Sequence, residues 1–171
     1  GVGLLIILIS FVVFALGFEK RKPRAREIVM LVCMISFAVI GRVIFYMTPQ
    51  VKPCAAIIII TGIALGKKAG FLTGAMTAFV SNFFMGQGPW TPWQMVAFGL
   101  LGYIFGTAYS KRSVGSYIPN KQKGFICFMG MLATIVVYGV IMDTATVLMS
   151  TDSPSVKAFI TAYTAGFIMN V

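Results

Sequence analysis

Residues 54–74 read Cys54-Ala-Ala-Ile-Ile-Ile-Ile-Thr-Gly62-Ile-Ala-Leu-Gly66-Lys-Lys-Ala-Gly70-Phe-Leu-Thr-Gly74. One apolar run, 54–65, meets a short basic turn over 66–70, and a second run, 71–85, follows at once. In lipid the backbone polar groups have to be paired within the protein, so consecutive runs of this kind read as helices joined at the membrane surface. Twelve helical residues rise only about 18 Å, short of the ~30 Å hydrocarbon core. The first run is therefore expected to borrow residues 51–53, to tilt, or to shelter behind its neighbours.

The pattern repeats in both directions. Upstream lie apolar runs over 2–18 and 28–47, the second interrupted only by Arg42 and closed by Pro49 and Pro53. Downstream, runs cover 93–109, 124–149 and, from about 155, the stretch to residue 171. Of 171 residues, 58% are hydrophobic and 11% charged, against roughly 45–50% and about 25% in soluble domains. The sequence predicts an all-α, polytopic membrane bundle forming a single transmembrane domain over 1–171. Residues 26–171 supply six core helices, the last of them cut off at Val171, and residues 2–18 an extra N-terminal helix. A secreted disulfide scaffold, a disordered tail and an ordinary cytosolic enzyme are excluded.

The net charge is +10, from 14 Lys+Arg against 4 Asp+Glu. Eleven of the basic residues fall in three segments: Lys20, Arg21, Lys22, Arg24 and Arg26; Lys67 and Lys68; and Lys111, Arg112, Lys121 and Lys123. If successive helices alternate direction, all three segments share one side, which the positive-inside rule makes cytoplasmic. The charge is thereby explained without nucleic acid. The loop over 86–92 then faces outward.

Several polar residues interrupt the apolar runs, where they are costly unless paired, hydrated or liganded. Arg42 and Asp143 fall at similar expected depth; each either contacts a ligand or, in the plainer reading, pairs with the other, while Arg42 could also snorkel to the interface. Trp90 and Trp93 could be interfacial anchors. They share a loop with Gln87, Thr91 and Gln94, two glycines and two prolines, a composition that suits capping a planar ligand with stacking faces and directed hydrogen bonds. Asn82 points a polar group toward the same place. The substrate-binding set expected is thus Arg42, Asn82, Gln87, Trp90, Trp93, Gln94 and Asp143.

Gly62, Gly66, Gly70, Gly74 and Ala78 recur every fourth residue, and Gly102 and Gly106 repeat the spacing. Such small residues let transmembrane helices approach closely, here within the subunit rather than at a partner interface. Gly62 to Lys68 only superficially resembles a phosphate loop: one residue is missing between the glycines, and Lys68 stands where Ser or Thr would bind magnesium. The chain has no histidine and no Cys-x-x-Cys, and Cys33, Cys54 and Cys127 read as packing residues. No metal site, cofactor or catalytic set is expected, so the chain is not an enzyme.

Gly41-Arg42-Val-Ile-Phe45, Pro49-Gln-Val-Lys-Pro53, Gly66-Lys-Lys-Ala-Gly70-Phe-Leu-Thr-Gly74 and above all Ser81-Asn82-Phe-Phe-Met-Gly86-Gln-Gly-Pro-Trp90-Thr-Pro-Trp-Gln94-Met95 resemble the substrate-binding S components of energy-coupling factor (ECF) transporters. The resemblance runs from about Arg26 to Gly106. It implies six core helices in a prokaryotic plasma membrane and a vitamin bound near the outer face, cobalamin first and riboflavin second. It also implies a membrane coupling subunit and two cytoplasmic ATPases as partners. The Ala-x-x-x-Ala face that the first helix of such proteins often uses for docking is not present as such; Cys33, Ser36, Ala38 and Gly41 offer small residues at other spacings. Two other classes compete with this reading: a stand-alone secondary transporter or channel, and a helical assembly subunit without a ligand.

Overall fold

A computed structural model describes residue 12 and residues 25–45, 53–109, 119–150 and 156–170. The run over 2–18 and the basic segments at 20–24 and 111–112 fall outside the described residues, except for Val12.

Nearly all the described residues are helical. In chain order the helices are α1 (Ala25–Ile44), α2 (Pro53–Leu65), α3 (Lys67–Met85), α4 (Thr91–Ala108), α5 (Asn120–Ala133), α6 (Gly139–Ser150) and α7 (Val156–Asn170). A π-helical turn, Thr134–Tyr138, joins α5 to α6, so the expected sixth run is one continuous rod. Among the described residues two stretches are long and apolar enough to cross a membrane, α1 and Gln122–Met149; α2 is apolar but shorter.

The connection between α2 and α3 differs from expectation. The whole of 66–70 reads as a turn, yet Gly66 alone makes it, at φ +92°, and α3 starts at Lys67. Positive φ costs glycine little, so one residue reverses the chain and leaves Gly70 inside the helix. There Gly70 serves packing. A methyl group added to it would lie 2.6 Å from the Gly102 carbonyl oxygen and 2.6 Å from the Gly62 Cα. One added to Gly102 would strike the Gly70 carbonyl, and one on Gly74 the Phe98 carbonyl. The glycine column is thus an internal seam at which the backbones of α2, α3 and α4 touch.

Around the seam lies the apolar core. One cluster joins Ala38 of α1, Cys54 and Ile58 of α2, Phe71, Ala75 and Ala78 of α3, and Met95 and Phe98 of α4. A second joins Ala55, Ile59, Leu101 and Phe105, with Ile126 and Met129 of α5 packed against it. Ala38 is fully buried and Gly41 faces Pro53, so two of the four small residues of α1 serve this core. Gly106 lies against Lys67 and Gly41 against Pro53, which makes successive helices antiparallel. The C-terminal ends of α1 and α3 and the N-terminal end of α4 therefore meet at one end of the bundle.

Candidate functional site

At that end the polar residues of three helices join in one network. Arg42, near the C-terminus of α1, donates from Nη1 to Ser81 Oγ at 2.6 Å and from Nη2 to Gln94 Oε1 at 3.1 Å. Its guanidinium carbon lies 5.2 Å from the centre of the Phe98 ring, within cation–π range. Asn82 Nδ2 donates to the same Gln94 Oε1 and to Thr91 Oγ1, both at 2.9 Å. Ser81, Asn82, Thr91 and Gln94 are all buried. In a membrane such groups cost several kcal/mol each if unpaired, on the order of the penalty in hydrocarbon, and here each is supplied by a neighbour.

The loop closes over this network. Gly86 leaves α3 at φ +104°, and the chain turns at once toward α4. Thr91 Oγ1 donates to Gln87 Oε1 at 2.9 Å and accepts from the Gly88 N–H at 3.3 Å. Gln87 Nε2 reaches back to the Phe79 carbonyl at 3.1 Å. Pro92 stands in the first turn of α4, where a missing N–H costs nothing. The Trp90 ring lies over Gly88, where any side chain would strike it. Trp90 is 41% exposed, and Trp93 is half-buried in the first turn of α4.

From the other side comes Tyr138, in the π-helical turn. Gln94 Nε2 donates to its hydroxyl at 3.4 Å, and its ring sits 4.9 Å from that of Phe98, tilted by 37°. A π turn inserts one residue into a helix and re-aims the side chains around it.

Of the seven expected site residues, Arg42, Asn82, Gln94 and Gln87 are brought into one network, with Trp90 and Trp93 beside it. Asp143 is not among them. It is half-buried on α6, and the pairing with Arg42 is not formed: the guanidinium is held by Ser81, Gln94 and Phe98 instead. Nor does Arg42 snorkel away from the bundle. Ser81, Phe98 and Tyr138 are additions. Ser81 was visible as a hydroxyl one residue before Asn82, whereas Tyr138 carries no signal beyond a lone hydroxyl in a long apolar run.

Among the described residues no group of His, Cys, Asp or Glu could hold a metal ion. Residues 22–171 match the family model described as ECF-type riboflavin transporter, S component. The chain belongs to that family. No curated protein and no solved structure gives a match. The family match runs well past the motif-bearing half of the chain, through α5, α6 and α7, so the S component includes the Tyr138 turn. It also places the protein in a membrane, consistent with the two spanning stretches. Cobalamin, the first choice by resemblance, gains no support from the match, which names riboflavin.

Proposed function

We propose that this S component captures a riboflavin-class vitamin at the outer face of the membrane and hands it to a membrane coupling subunit driven by two separate ATPases, with no catalysis of its own. What supports the reading is the network of Arg42, Asn82 and Gln94 beneath the Trp90 loop, in a chain of the riboflavin S-component family. A few directed polar groups beside aromatic faces are what a small-molecule site needs. The basic residues at the other end of the bundle, Lys67 and Lys68 among them, support an outward-facing network by the positive-inside rule.

Titrating riboflavin with the detergent-purified chain tests the reading. Saturable quenching of flavin fluorescence, with cobalamin failing to compete, is the expected result. Binding of cobalamin without riboflavin would reverse the ligand. Concentrative uptake by the chain alone in liposomes, driven by a proton or sodium gradient, would overturn the dependence on ATPases.

A further inference from the structure

Among the described residues, the partners that hold the Arg42 cation are all neutral: a hydroxyl, an amide carbonyl and a ring face. The acceptors around it are already used. Gln94 Oε1 takes bonds from both Arg42 and Asn82, filling its two lone pairs. Ser81 Oγ accepts from Arg42 while donating to the Ala78 carbonyl at 3.2 Å. Thr91 Oγ1 accepts from Asn82 and from Gly88. Donors, by contrast, remain: a guanidinium has more N–H groups than two bonds consume, and the Gln94 amide has a second N–H. The network is therefore rich in donors, and among the described residues no carboxylate pairs with its positive charge.

We infer that Arg42, steered by Gln94 and Ser81, is the residue that reads the ligand, and that it selects an acceptor-rich edge bearing carbonyl oxygens on a planar ring. The inference rests on the riboflavin-class reading and makes it specific. The pyrimidine end of a flavin carries two carbonyls and a ring-nitrogen acceptor, whereas the ribityl chain carries hydroxyls that donate as readily as they accept. Charge-assisted bonds to the ring edge complement the guanidinium where water is scarce.

Infrared difference spectra of riboflavin bound to the purified full chain read this contact directly. The carbonyl stretching bands should move to lower frequency in the wild type. The shift should shrink in Arg42→Lys and vanish in Arg42→Gln, with Kd raised about tenfold or more in the latter. Lumiflavin, which has the ring system without the ribityl chain, should bind with the same dependence on Arg42. Unshifted carbonyl bands in the wild type overturn the inference even if neither variant folds, as does a wild type that binds riboflavin but not lumiflavin. Both results leave riboflavin binding standing. A wild type that binds no riboflavin overturns the ligand reading itself, and this inference with it.

Discussion

Gln94 on α4 accepts a hydrogen bond from Arg42 on α1 at 3.1 Å, across 52 residues of chain. The same oxygen accepts from Asn82 on α3, so a single amide ties three helices together. Replacing it with alanine leaves the buried Asn82 amide and the half-buried Arg42 guanidinium each short of an acceptor, a loss of about 1–3 kcal/mol. Gln94→Ala should weaken ligand binding about five- to a hundredfold. Gln94→Glu should act in the opposite sense on stability: a carboxylate beside Arg42 supplies the missing counter-charge, raising Tm while lowering affinity. Thermal unfolding and calorimetric titration of the same preparations check both signs, and a Gln94→Glu protein that binds more tightly would contradict the donor-rich picture.

Trp90 tests the lid. Its ring is half open to the surroundings and rests on Gly88 rather than in the core, so Trp90→Ala should lower affinity about five- to a hundredfold, as loss of a stacking face would, with little change in Tm. Tyr109 lies at the opposite end of α4, packed on the second apolar cluster. Tyr109→Ala should leave the affinity of the folded fraction unchanged. Normal binding by Trp90→Ala, with a loss in expression, would make the tryptophan an interfacial anchor only.

The glycine seam makes a prediction about stability alone. Gly70→Ala places a methyl group into two backbones and should cost about 1–3 kcal/mol, as overpacking does. Gly124→Ala, in α5, meets nothing within 4 Å and should be neutral or gain up to about 1 kcal/mol of helix propensity. Thermal scans of the two variants in one detergent decide it. Equal melting temperatures would mean that the three helices do not meet at the seam.

Orientation is checked by thiol labelling in intact cells, on a background with Cys33, Cys54 and Cys127 replaced. Pro89 is the better reporter in the aromatic loop, since it is exposed whereas a side chain at Gly88 would strike Trp90. Pro89→Cys should react with an impermeant reagent and Ser113→Cys should not. The reverse pattern would put the network on the cytoplasmic side.

Much of the site was legible because polar residues inside apolar runs are expensive. Arg42, Asn82 and Gln94 each interrupt such a run, and each proves to be satisfied by another of the set. Asp143 stays outside the Arg42 network, since depth along a helix says nothing of which way its face is turned; α6 follows a π-helical turn that shifts the register. That turn has no residue signature in Thr134-Ile-Val-Val-Tyr138, so nothing in the sequence sets Tyr138 apart. Gly70 shows the limit at the other end. Read alone it is a helix breaker, and only the partner helix explains why a helix would accept it.

Where Gly62, Gly70 and Gly102 meet, the main chains themselves are the contact surface, and no substitution there is small. Such a junction cannot drift one residue at a time. The network end is different, since side chains rather than main chains face each other across 42, 81, 94 and 138. Main-chain contact and side-chain contact are therefore written in separate parts of the chain. If the proposed site is right, a descendant of this protein could acquire a taste for another vitamin by changing a handful of positions around Gln94, while inheriting its seam untouched.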